Sequence, residues 1–244
     1  MDKLQEYLFP VEERKVFYEN EGVASTSSYK SIVHGETGEL ISIMKDTYNL
    51  IPNEQIIIPL MEQLNTLDSS WIIDPSHSYV DNNRMRLQIT FPDLTFNDGE
   101  SDIALSLFVH NSYDGSEGVR LFWGAIRGIC TNGMVFGKVL AKYYGRHTNG
   151  IQLINMKEKV EQTYEQIPVI RNRIEVLKRL NTSEELYGVI KDELGSGISA
   201  YTDQQPNCPN QWVLYNYLTW YISHVVDLRM RANYQLKVSK IFQL

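Results

Sequence analysis

Cysteine is nearly absent: 244 residues contain only Cys130 and Cys208. Two cysteines without CxxC spacing exclude a disulfide scaffold and a zinc knuckle, and they suit a reducing compartment. No run of about 18 apolar residues occurs, so no membrane-spanning helix is expected. The best apolar stretch, Trp212–Val226, is shorter and is interrupted by Asn216, Thr219 and His224. Its five histidines (His34, His77, His110, His147 and His224) are scattered, with no HxxxH or HExxH pair. No metal is therefore expected. GxxxxGK[ST] and GxGxxG are both missing, which removes the common nucleotide-phosphate cradles, and no cofactor is expected. The opening MDKLQEYLFPVEERK is acidic and broken by Pro10. It lacks the basic and then apolar pattern of a secretory signal, so the expected location is the cytoplasm.

What is present is an ordinary globular composition, 43% hydrophobic and 22% charged. A chain this long can bury roughly 70–75% of its unfolded surface without covalent staples. The net charge of −7 conceals a strong asymmetry. Residues 1–118 carry 7 basic and 20 acidic side chains. Residues 119–180 carry 11 basic and 4 acidic ones, a net of +7. Charge segregated in this way either builds a basic face or is neutralised within the fold.

The hydrophobic periodicity changes along the chain. Residues 1–27 read as a short helix or arm ending in the Ser/Thr linker Ala24–Ser28. A hairpin follows, Tyr29–His34 and Glu39–Tyr48, reversed at Gly35-Glu36-Thr37-Gly38. Asn53 stands as N-cap of a helix over about 54–66, with Ile57, Leu60, Met61 and Leu64 on one face. Trp71–Val80, Arg84–Phe91, Ile103–His110 and Val119–Ile129 then read as an antiparallel meander. In the second of these strands Met85, Leu87, Ile89 and Phe91 alternate. Met134, Phe136, Val139, Leu140 and Tyr143 suggest a helix packed on that sheet. A long helix over 151–180, disturbed at Pro168, comes next. Thr182-Ser183-Glu184-Glu185 is a capping box for a helix to Leu194. A loop over 195–210, an aromatic helix over Trp212–Val226 and an apolar tail complete the pattern. The expected class is α+β: a β-hairpin and helix, an antiparallel sheet of about four strands with a packed helix, and a helical C-terminal part. The expected division is an N-terminal arm (1–27), an α+β core (28–150) and a helical part packed on it (151–244).

The densest cluster of polar hydrogen-bonding residues lies at the two ends of the hairpin within His110–Gly133. One end is Asn111-Ser112-Tyr113-Asp114-Gly115-Ser116, and the other is Arg127-Gly128-Ile129-Cys130-Thr131-Asn132-Gly133. With Lys30-Ser31-Ile32-Val33, Glu36-Thr37-Gly38-Glu39, Asp46-Thr47-Tyr48, Arg146-His147-Thr148, and Asn216, Thr219 and His224 in NYLTWYISH, these segments carry a resemblance. The chain resembles the phage/plasmid-like protein family, domain of unknown function 932, over roughly residues 28–244. The resemblance implies an intracellular protein of a mobile element. It implies no reaction. Leu218-Thr219-Trp220-Tyr221 departs from the pattern, in which an acidic residue is expected after the threonine.

Several chemistries can be weighed on these residues. Cys130 precedes a predicted helix, the setting of an activated thiolate, but it also ends an apolar strand, the setting of a buried small hydrophobe. Asp98, Glu100, Asp102 and Asp114 read as a solvated acidic turn rather than a di-carboxylate site. Asn111, Ser112, Asp114 and Ser116 are the residue types that build Asx and Ser turns. Arg127 has a structural reading as a partner for Asp114. The basic stretch supports a second interpretation. Arg120, Arg127, Lys138, Lys142 and Arg146 supply cations, Lys138 and Lys142 share a predicted helix face, and Trp123 and Tyr144 supply rings. Cations along a backbone with rings for the bases form the single-strand binding pattern. The predicted element order also matches single-strand annealing recombinases, without a shared motif. The expectation is a non-enzymatic protein binding single-stranded nucleic acid in recombination or replication, as a possible homo-oligomer. The alternative is a protein-binding accessory factor of a phage, either anti-defence or virion-associated, with host or phage proteins as partners.

Overall fold

The computed structural model describes residues 2–75, 78–81, 83–127, 132–135, 142–145, 156–205 and 208–244, with backbone alone over 2–3, 132–135, 142–145, 156–164 and 228–229. The class is α+β, with antiparallel sheets followed by C-terminal helices. In chain order the elements begin with α1 (Asp2–Gln5), β1 (Val11–Asn20), β2 (Val23–His34), β3 (Leu40–Lys45) and α2 (Glu54–Leu64). The strands β4 (Ile72–Ile73), β5 (Tyr79–Val80), β6 (Arg84–Asn97), β7 (Asp102–Ser112), β8 (Val119–Arg127), β9 (Asn132–Val135) and β10 (Lys142–Gly145) follow. The helices α3 (Met156–Arg179), α4 (Glu184–Leu194), α5 (Ser196–Asp203), α6 (Gln211–His224) and α7 (Leu228–Phe242) end the chain.

A three-stranded antiparallel sheet has the order β1-β2-β3. A seven-stranded sheet has the path β10-β8-β7-β6-β4, with β5 on β6 and β9 on β8. The chain separates into two compact units, and β6, β7 and β8 contribute residues to both. The first comprises residues 1–89, 108–121 and 143–158, the second 90–107, 122–142 and 159–244.

The core of the first unit includes Ile32, Val33, Ile56, Ile57, Leu60, Leu64, Met85, Leu87 and Ile89, all buried. Of these, Ile57, Leu60, Leu64, Met85, Leu87 and Ile89 are residues whose alternation or helical spacing was legible. Arg86 and Gln88, on the opposite face of β6, are buried too, so this strand is covered on both sides. In the second unit Phe91 packs on Trp123 at 5.2 Å, Trp212 stacks on Tyr215 at 5.4 Å, and Tyr215 meets the edge of Phe242 at 5.4 Å. Aromatic pairs at such separations add to the apolar area that they bury.

Several sequence expectations are corrected. Much of residues 1–27 is strand: β1 and β2 pair from Val11↔His34 to Asn20↔Val23, and the Ala24–Ser28 linker lies within β2. The expected single strand over 71–80 is two short strands, since Pro75 between them has no N–H to donate. The helix expected over Met134–Tyr143 does not form in the described residues, where Asn132–Val135 and Lys142–Gly145 are strands. A short apolar run rich in valine and tyrosine fits an open sheet edge as well as a helix face, and β8 supplies that edge. Among the described residues the meander is followed by β9 and β10, and the next helix is α3. α3 runs through Pro168 without a break, and α5 occupies much of the expected 195–210 loop. Asn53 precedes α2 but makes no side-chain cap. Ser183 caps α4 as expected, accepting from the Leu186 N–H at 3.3 Å. No helix among the described residues is long and apolar enough to cross a membrane.

Candidate functional site

In the first unit the Asn111–Ser116 segment is held by its own side chains and by its neighbours. Asn111 donates to the Ile51 carbonyl and to Asn53 Oδ1, both at 2.9 Å. Ser112 Oγ donates to the Glu117 carbonyl at 2.8 Å and accepts from the Glu117 N–H at 3.0 Å. The Tyr113 hydroxyl accepts from the Asn53 N–H at 2.8 Å, and its carbonyl accepts from Ser42 Oγ at 2.6 Å. Asp114 accepts from the Ser116 N–H at 2.9 Å and from Arg84 at 3.1 Å, while Arg84 Nε donates to Ser116 Oγ at 3.0 Å. Burial works to raise the Asp114 pKa, but the Ser116 bonds and Arg84 outweigh it and hold the carboxyl below its ordinary value. Gly115 takes φ +69, a left-handed conformation that glycine adopts without strain.

Behind this loop Arg86 donates to Glu117, and His110 Nδ1 lies 3.8 Å from the other Glu117 oxygen. His110 is buried, and its pKa is pushed well below 6.5 by burial first, then by Arg86 and Arg120. It is therefore neutral at physiological pH. The polar side chains of this rim hold the loop's shape, which is the structural reading of the motif.

The second unit holds a different arrangement. Arg127, the last residue of β8, pairs with Asp98 and Glu100 in the β6–β7 turn and not with Asp114. Its Nε donates to Asp98 Oδ2 at 2.9 Å and one terminal nitrogen donates to Glu100 Oε2 at 2.8 Å. Asp98 accepts in addition from the N–H groups of Glu100 and Ser101 and, at 3.2 Å, from the Trp212 indole of α6. Lys178 of α3 donates to the Asp98 backbone carbonyl. Burial alone would raise the Asp98 pKa, yet Arg127 and the two backbone donors hold it below 3.8.

Beside this cluster opens a pocket of about 310 Å³ lined by Glu100, Arg127, Tyr201, Val213, Asn216, Tyr217 and Trp220. The spacing of Val213, Asn216, Tyr217 and Trp220 along α6 sets them on one helical face. Trp220 stacks on Tyr201 at 6.0 Å and on His224 at 4.9 Å, forming a short ladder of rings. Asn216 donates to the Trp212 carbonyl at 2.8 Å, and buried Thr219 donates to the Asn216 carbonyl at 3.1 Å. β9 pairs back on β8 with Asn132 opposite Arg127 and Gly133 opposite Ile126. Two segments far apart in sequence, Arg127 and the NYLTWYISH helix, therefore meet at one cavity.

Some of the residues expected to hold nucleic acid lie among the described ones. Trp123 is 2% exposed and packed on Phe91, leaving no face for a base. Arg127 is 5% exposed, with its charge already opposed by two carboxylates. Arg120 is half-buried on β8. Lys142 and Tyr144 lie on strand β10, so the helix face that Lys138 and Lys142 were expected to share is lost. Lys138, Arg146, His147 and Cys130 fall outside the described residues. Tyr201 and Tyr217 were missed because α5 read as a loop and α6 read only as an aromatic helix, with no spacing that singled out its pocket face. Among the described residues, no three His, Cys, Asp or Glu side chains cluster as metal ligands would.

These features define a mixed α+β protein whose second unit carries a ring-walled pocket beside a buried arginine–carboxylate cluster. The chain belongs to the family described as "Domain of unknown function (DUF932)", whose model matches residues 40–240. No curated protein and no solved structure matches it.

Proposed function

We propose that the protein binds single-stranded nucleic acid of a phage or plasmid during recombination or replication, with an unpaired base entering the pocket of the second unit. The observation that carries this reading is the convergence of Tyr201, Tyr217 and Trp220 with Arg127, Asn216 and Glu100 around about 310 Å³. Rings offer any base a stacking surface, worth about 1–3 kcal/mol per base. An amide and an exposed carboxylate supply a donor and acceptors for a base edge, and the buried Arg127 holds that carboxylate in place. In this reading the pocket replaces Trp123 as the stacking element. Arg120, Lys138, Lys142 and Arg146, from the net +7 segment, remain the side chains assigned to phosphates.

Fluorescence anisotropy of a labelled single-stranded oligonucleotide tests the proposal. Affinity is expected to fall steeply from low to moderate salt as phosphate counterions are released. Trp220→Ala is expected to weaken binding by about 5- to 150-fold, the loss of one stacked base. Absence of binding at low salt, or wild-type affinity in Trp220→Ala, overturns the reading.

A further inference from the structure

The first unit carries an interaction surface unrelated to the pocket. β1 is the edge of its sheet, and among the described residues no strand covers its outer side. Natural edge strands are usually blunted by charge, proline or bulges. This one is charged at Glu12, Glu13, Arg14, Lys15 and Glu19, and it also carries Phe17, 59% exposed, and Tyr18, 55% exposed, in its second half. The register with β2 shifts between Lys15↔Lys30 and Phe17↔Thr26, where one residue of β1 stands against three of β2. An open edge that carries exposed aromatics and charges of both signs is a template for a strand that complements it.

We propose that β1 pairs antiparallel with β1 of a second copy about a two-fold axis at Phe17, joining two three-stranded sheets into one. A two-fold axis normal to the sheet pairs only residues that point to the same face, which limits the possible registers. Centred on Phe17, the strand Arg14-Lys15-Val16-Phe17-Tyr18-Glu19-Asn20 complements itself. Phe17 faces Phe17 of the second copy, Val16 faces Tyr18, Lys15 faces Glu19, and Arg14 faces Asn20. These are aromatic, aromatic–aliphatic, opposite-charge and hydrogen-bonding pairs, the kinds that stabilise cross-strand neighbours. An axis at Val16 would set Glu13 against Glu19, and an axis at Tyr18 would set Phe17 against Glu19. Only the Phe17 register places no like charges opposite and no carboxylate against a ring. The occupant of this edge is therefore a second copy of the chain.

Size-exclusion chromatography with light scattering on the full chain tests the proposal. A species of twice the 28.3 kDa chain mass is expected. Lys15→Glu puts like charges opposite each other at both symmetric positions, and it is expected to weaken the dimer by about tenfold or more. Lys15→Glu combined with Glu19→Lys restores opposite charges in reversed order and is expected to restore the dimer. Lys15 and Glu19 are exposed, so thermal melts of all three proteins should agree once each is compared as a monomer. A monomeric wild type, an oligomer indifferent to Lys15→Glu, or a double variant that stays monomeric overturns the proposal.

Discussion

Replacing Arg127 by methionine probes the buried cluster most directly. The methionine keeps most of the aliphatic stem and removes only the charge and the donors. Asp98, whose side chain is fully buried, then keeps its two backbone donors and the Trp212 indole but loses its ion pair with Arg127. Breaking one side of a buried ion pair costs about 3–5 kcal/mol, because an uncompensated charge remains inside. For a chain of this size each kcal/mol corresponds to about 2–4 °C, so a fall in melting temperature of about 6–20 °C is expected near neutral pH. The pH dependence separates this cause from simple loss of packing. In the wild type the Asp98 pKa lies below 3.8, so its stabilisation is present above that value and lost as pH falls through the folded pKa. In Arg127→Met burial is opposed by fewer donors, and the folded pKa rises toward the unfolded one. The variant then has less carboxylate stabilisation to lose as pH falls below 3.8, and the gap to the wild type narrows. Asp98→Asn combined with Arg127→Met removes both charges and should lose less than the two single variants together. A loss below about 1 kcal/mol, or a gap that is constant with pH, would refute the reasoning.

Gly115→Ala forces a Cβ into a φ of +69 and to within 2.8 Å of the Met44 terminal methyl. It should destabilise by about 1–2 kcal/mol, measured by urea denaturation. Acidification should lower stability in two stages. The first begins below 6.5, where the unfolded chain takes up a proton that folded His110 refuses, and His110→Gln should abolish it. The second begins below 3.8, as Asp98 and Asp114 are protonated; a stability flat across the first window would refute the burial of a neutral His110.

Sequence pattern located the elements wherever apolar residues alternated with polar ones or recurred at helical spacing. Alternation in Arg84–Phe91 marked β6, and the capping box at Ser183 marked the start of α4. It failed at β1 and the first half of β2, because a ribbon exposed on both faces has no apolar side to alternate. It failed again at β9 and β10, where short apolar runs satisfy either period and the open edge of β8 decides. The Asn111–Ser116 turn was legible as turn chemistry, since side chains that bond to nearby backbone depend on local sequence. The partner of Arg127 was not legible. The loop with Asp114 precedes the first residue of β8 and Arg127 is its last, so the Asp98 turn meets Arg127 through strand direction. The pocket joins residues from β8, α5 and α6, and no local spacing announces such a meeting.

The Asp98 turn also sets an order of events during synthesis. Its bonds reach Arg127, Lys178 and Trp212 at sequence separations of 29, 80 and 114. While the chain is being made, residues 97–101 emerge with a carboxylate that must stay in water until β8 arrives. The last of its donors is present only once α6 has been released. The second unit thus closes from its C-terminal side, and a ribosome stalled before Trp212 holds a sheet end that is still open to solvent and to chaperones.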